Sequence, residues 1–113
     1  MRLSQIRIKC QDIGKYCIFL EELFDAEILP EQTHVLKCEG LGINFHLSEE
    51  KSKKVRDNKL ELNILLEKEE VDQMKQRVEF LQYRYELSIS SKKVENRFLV
   101  TDPEGITWNF YSK

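Results

Sequence analysis

The chain has 113 residues, the length of one ordinary domain, which argues against two independently folding domains. Hydrophobic residues make up 41% and charged residues 34%, enough apolar material for one core and unlike a disordered chain. The formal net charge of −2, with interspersed signs, gives no basic field suited to a nucleic-acid backbone. No apolar run approaches the roughly 20 residues of a membrane span. The opening Met1-Arg2-Leu3-Ser4-Gln5 lacks the apolar stretch of a secretory signal. The expectation is a cytoplasmic protein with no nucleic-acid or membrane partner. Cys10, Cys17 and Cys38 form an odd set without a C-x-x-C pair and read as reduced, mostly buried thiols.

Residues 3–10 alternate, with Ile6, Ile8 and Cys10 on one face and Gln5, Arg7 and Lys9 on the other, which predicts a half-buried strand. Asp12 is placed as an N-cap for a helix over 13–24, where Ile13, Tyr16, Cys17, Leu20, Leu23 and Phe24 recur at helical spacing. Three short apolar pieces follow, Ala26–Leu29, Val35–Cys38 and Leu41–Leu47, punctuated by Pro30 and Gly40, and read as antiparallel strands. Residues 48–59 hold one apolar side chain. They read as a charged connecting loop and the best candidate for a mobile segment, its lysines and Arg56 offset by Glu49, Glu50 and Asp57.

The pattern then restarts. Leu60, Leu62, Ile64 and Leu66 alternate with Glu61, Asn63 and Leu65, predicting a strand. Val71, Met74, Val78 and Leu81 mark a helix over 69–82. Three more strands are expected at Glu86–Ser90, Arg97–Thr101 and Ile106–Tyr111, the last two joined by the tight-turn sequence Asp102-Pro103-Glu104-Gly105. The fold class is therefore α+β: two tandem βαβββ units, approximately 1–56 and 57–113, within a single domain over 1–113. The strands form a curled mixed sheet with the helices on its outer face, leaving the concave face for a ligand.

This order resembles the vicinal oxygen chelate superfamily, which includes glyoxalase I, the bleomycin-resistance proteins and the extradiol dioxygenases. The resemblance is carried by Ile6 to Lys15 and Phe19 to Phe24 at the start. At the end it is carried by the Asp102-Pro103-Glu104-Gly105 turn and the aromatic-rich strand after it. It covers essentially the whole chain. The resemblance implies a small-molecule site in the concave sheet, often with a divalent metal as cofactor, and pairing into a homodimer. Carried over position by position, the ligand set falls on Gln5, on Asn44 or His46, on Asn63 or Glu61, and on Asn109. Three of these positions carry neutral amides in place of carboxylate or imidazole. The candidate ligand-binding residues of the concave face are Gln5, Arg7, Asn44, His46, Asn63, Thr107, Asn109 and Tyr111; the candidate metal ligands are Gln5, His46, Glu61 and Asn109. Arg7 and Lys9 share the face of Gln5; if Arg97 turns to the same side the cavity is positive and favours an anionic carboxylate or phosphate ligand, and the alternative leaves Lys9 and Arg97 at strand ends in solvent.

The leading expectation is a small-molecule binding protein of the glyoxalase and bleomycin-resistance type, without a standard metal site. A metal-dependent lyase, isomerase or dioxygenase with an atypical Gln/His/Asn site is the alternative. An interaction module with a filled cavity stands as a third.

Overall fold

The computed structural model describes residues 1–32, 34–51 and 60–113. The expected loop lies mostly outside the described residues, as do Lys53, Lys54, Arg56 and Asp57 of its charged run. The chain divides into two compact units, Met1–Lys53 and Lys54–Lys113.

In unit 1, strand β1 (Gln5–Cys10) is followed by helix α1 (Ile13–Phe24) and strands β2 (Glu27–Ile28), β3 (Val35–Cys38) and β4 (Ile43–Glu49). The sheet order is β1-β4-β3-β2, with β1 parallel to β4 and the other pairs antiparallel. Helix α1 begins at Asp12, whose extended backbone turns its carboxylate onto the amide of Lys15 at 3.1 Å, satisfying one of the first-turn donors. It ends at Asp25, in the left-handed region at φ 54°. Its Tyr16, Phe19, Leu20 and Leu23 are fully buried, and the helix lies against β3 and β4. The sheet answers with Ile8, Cys10, Leu36, Cys38, Phe45 and Leu47. Period 3.6 on the helix and period 2 on the strands thus converge on one core. None of the three thiols is in a disulfide; Cys10 and Cys38 are buried and Cys17 is half-buried.

Unit 2 repeats the plan. Strand β5 (Glu61–Leu65), helix α2 (Lys68–Arg84) and strands β6 (Ser90–Val94), β7 (Arg97–Thr101) and β8 (Thr107–Tyr111) give the order β5-β8-β7-β6, with β5 parallel to β8. A reciprocal capping box between Glu67 and Glu70 starts α2, which buries Val71, Val78 and Leu81 and lies against β7 and β8. Trp108 and Phe110 point to the helix and stack at 6.4 Å, paired across the ladder with Leu62, Val100, Ile64 and Phe98. They are core residues, as their alternation predicts.

One strand is misplaced by the sequence reading. The apolar Leu87 and Ile89 attract an assignment at 86–90, whereas the strand begins at Ser90. The Ser-Ser-Lys-Lys stretch of β6 has no alternation; backbone pairing to β7 holds it, across a two-residue turn whose Glu95 adopts φ 54°. As the edge of its sheet, β6 carries lysines at little cost. Among the described residues no helix is long and apolar enough to cross a membrane.

The Asp102 turn is more than a chain reversal. Asp102, 2% exposed, accepts hydrogen bonds from the amides of Glu104 (2.8 Å) and Ile106 (2.9 Å), and its second oxygen accepts from the indole Nε1 of Trp108 at 2.8 Å. The β7–β8 connection is thereby locked to the largest side chain of the core.

Candidate functional site

Each sheet has one face on its helix and one turned away from it. The candidate residues all fall on the helix-free faces, because along each strand they alternate with the apolar residues turned toward the helix.

In unit 1 the parallel register sets Gln5 beside Asn44, Arg7 beside His46 and Lys9 beside Ser48. The antiparallel partner adds Lys37 beside Asn44 and Val35 beside His46. Two cross-strand rows result, Gln5–Asn44–Lys37 and Arg7–His46–Val35. Asn44 and His46 are half-buried in mid-strand; Gln5, Arg7 and Lys37 are exposed. Val35 is only 6% exposed although it faces away from α1. Lys9 reaches Glu50 at 3.9 Å and Lys37 reaches Glu39 at 3.3 Å, both at the surface. His34 lies outside the rows, exposed in a turn at φ 63°.

In unit 2 the rows are Glu61–Thr107–Thr101, Asn63–Asn109–Leu99 and Leu65–Tyr111–Arg97. The Asn109 Nδ2 donates to Asn63 Oδ1 at 2.9 Å. Asn109 itself is 8% exposed, and its Oδ1 is buried with no hydrogen-bond partner. An orphaned acceptor of this kind costs about 1–3 kcal/mol.

The two units can be laid over one another by their ladders. Each last strand enters its ladder by donating to the residue that precedes the first strand: Asn44 to Ser4 at 3.0 Å, and Thr107 to Leu60 at 3.1 Å. On that match Gln5 corresponds to Glu61, Arg7 to Asn63, Asn44 to Thr107 and His46 to Asn109. The sequence left Asn63 and Glu61 as alternatives for the first-strand position of the second half. The repeat pairs Glu61 with Gln5, and on the last strands it pairs Asn109 with His46, not with Asn44.

The donor chemistry of these four positions is mixed. Divalent ions favour carboxylate and imidazole ligands, which supply charge or strong σ-donation against dehydration. Only His46 in unit 1 and Glu61 in unit 2 offer such groups. Gln5 and Asn109 are neutral amides, and the Asn109 nitrogen is already turned onto Asn63. Among the described residues no three His, Cys, Asp or Glu side chains gather where one ion could be held.

Lys37 was missed as a site residue. Its signal is present in Val35-Leu36-Lys37-Cys38, where alternation puts the lysine opposite the buried Leu36 and Cys38. The Cys17 and Cys38 thiols are pushed above their ordinary values, chiefly by burial, with Glu21 and Asp25 adding to it; backbone amides of Leu41 and Gly40 partly offset the rise at Cys38. Neither is set up as a nucleophile.

Solved structures share this fold over nearly the whole chain. The FosX fosfomycin resistance protein of Listeria monocytogenes matches with a TM-score of 0.73 at 19% identity, over 100% of this chain and 93% of that one. A possible glyoxalase from Bacillus cereus matches at 0.72 and 19% identity, over 98% of each chain. An integron cassette protein from the mobile metagenome of the Halifax Harbour sewage outfall matches at 0.70 and 20% identity, over 99% and 98%. The chain shares the fold of these three proteins. No protein-family model and no curated protein matches the sequence.

Proposed function

We propose that the chain binds a small polar molecule on the helix-free faces of its sheets, as a binding protein of the glyoxalase and bleomycin-resistance type without the usual metal site. One observation carries the reading. In the second half the Asn109 nitrogen is turned onto the oxygen of Asn63, one of the two residues considered for the first-strand position, and the Asn109 oxygen is buried with no hydrogen-bond partner. A buried acceptor kept without a protein partner is suited to a ligand N–H or O–H. The FosX neighbour is described as a resistance protein, and one of its variants was crystallised with Mn(II) and a dihydroxypropylphosphonic acid. That supports a fold able to hold small polar molecules.

The metal-dependent alternative is favoured by a different observation, the repeat match of Gln5 with Glu61 and of His46 with Asn109. It makes His46 and Glu61 the groups to remove. Metal analysis of untagged protein, followed by titration with Ni, Zn, Mn and Fe(II), separates the two readings. Stoichiometric binding lost in His46→Ala and Glu61→Ala would overturn the metal-free proposal. Capture of a compound from a mixture of small metabolites by chelator-treated protein, measured by equilibrium dialysis and mass spectrometry, is the expected result.

A further inference from the structure

We infer that an open hollow at one end of the unit 1 sheet takes an oxyanion group, which names a ligand class for one of the helix-free faces of the proposed function and so rests on that reading. The hollow measures about 340 Å³ and is lined chiefly by Arg2, Ser4, Lys37, Glu39, Gly42 and Asn44. That is the lower end of the volume range of small-molecule sites, roughly 300–1,000 Å³.

Its walls come from three places in the fold. Arg2 and Ser4 precede β1. Lys37 and Asn44 are cross-strand neighbours in β3 and β4. The Glu39–Gly42 turn closes the end, with the Gly42 amide donating to the Glu39 carbonyl at 3.1 Å and Gly42 at φ 69°. A residue with a Cβ is disfavoured at that φ, so the turn needs its glycine.

The lining is rich in donors. A guanidinium, an ammonium, a hydroxyl and a carboxamide face one carboxylate, and Arg7 stands on the adjoining row. Two cations against one anion leave the hollow with one net positive charge. Neither Arg2 nor Arg7 has an ion-pair partner among the described residues. Lys37 has one, Glu39 at 3.3 Å, but both side chains are at least half exposed, at 50% and 77%. An exposed pair of this sort contributes little and exchanges readily for a better anion. A planar guanidinium fork with a mobile ammonium beside it suits carboxylate or phosphate oxygens. Glu39 is then the built-in competitor of the ligand.

The test is a ¹H–¹⁵N NMR titration of the full chain at low ionic strength, with inorganic phosphate in one arm and acetate in the other. Saturable shifts at the amides of Ser4, Gly42 and Asn44 are expected, and the arm that saturates at lower concentration identifies the favoured oxyanion. Replacing Arg2 and Lys37 by alanine is expected to weaken binding by about tenfold, the loss of charge-assisted hydrogen bonds. Glu39→Gln is expected to tighten it severalfold, and the spectrum of each variant reports whether the fold is kept. No saturable shift with either anion, or affinities indifferent to Glu39→Gln and to the double substitution, overturns the site. If phosphate binding tracks these variants while the protein captures no metabolite in the dialysis experiment, the broader binding reading falls and the oxyanion site stands. Metabolite capture without any response at these amides overturns the site alone.

Discussion

Replacing Asp102 by alanine should be among the most damaging single changes in unit 2. The carboxylate, 2% exposed, serves the amides of Glu104 and Ile106 and the Trp108 indole, at 2.8, 2.9 and 2.8 Å. Each of these donors sits on a residue no more than 2% exposed. A buried donor left unpaired costs about 1–3 kcal/mol, and hydrogen bonds to a charged acceptor lie at the upper end of their class. Water entering the small cavity recovers part of this, so about 3–5 kcal/mol is expected, a large share of a domain's total stability of about 5–15 kcal/mol. The assay is equilibrium urea unfolding of four proteins: the parent, Asp102→Ala, Trp108→Phe and the double variant. Far-UV circular dichroism follows all four. Trp108 is the single tryptophan, so its emission reports unit 2 wherever it is retained. The double-mutant cycle should give a coupling of about 1–2 kcal/mol between carboxylate and indole. A loss below about 1 kcal/mol in Asp102→Ala, or no coupling in the cycle, would refute the view that this turn is pinned through Trp108.

Other consequences are simpler to check. Asp12→Ala removes the side-chain cap on the Lys15 amide and should lower stability by about 1 kcal/mol, measured by thermal or urea unfolding. Gly42→Ala forces a Cβ onto a backbone at φ 69° and should cost about 1 kcal/mol, although open space surrounds the new methyl group. The Cys17 thiol, raised by burial and by Glu21, should react with iodoacetamide more slowly than a free cysteine at pH 8; an equal or faster rate would contradict that assignment. The linked stability runs in a definite direction. A thiol whose folded value is raised holds its proton longer in the folded state, so stability is intact below the unfolded value and falls as pH rises from there through the folded value.

The elements that could be read from the sequence are those with a local signal. Helix α1 was placed at 13–24, where it lies, because the Asp12 cap and the apolar spacing are both contained within the segment. The assignment of Trp108 and Phe110 to the core followed from alternation in β8. What escaped depends on partners distant in the chain. Strand β6 exists through its pairing with β7, and its own Ser-Ser-Lys-Lys sequence carries no periodic trace. The Asn63–Asn109 hydrogen bond spans 46 positions, and the choice of Glu61 as the counterpart of Gln5 needs the ladder register of both units. Glu61 and Asn63 lie two positions apart on the same face, so a two-residue shift of register exchanges them without changing the face, which is why composition and spacing leave the two residues as alternatives. The hollow around Arg2 and Lys37 is likewise a product of register, since the two residues are far apart in sequence and neither belongs to a motif.

Asn109 is where stability and function should separate. Its nitrogen bonds Asn63, which is exposed and can return to water, while its oxygen is buried without a partner. For folding alone the amide is a poor choice. One hydrogen bond, net about 0.5–1.5 kcal/mol, is set against an orphaned acceptor costing about 1–3 kcal/mol. Leucine has the same branched skeleton of heavy atoms and carries no polar atom. Asn109→Leu is therefore expected to match the parent in urea unfolding, or to exceed it by about 1 kcal/mol. Asn63→Ala should lose about 1–2 kcal/mol, because it strands the other end of the buried amide as well. If the oxygen is retained for a ligand, Asn109→Leu should also abolish capture of the compound found by dialysis while leaving phosphate titration of the unit 1 hollow unchanged. A drop of more than about 2 kcal/mol in Asn109→Leu would mean that the amide is a structural requirement, and the orphaned oxygen would then no longer speak for a binding site.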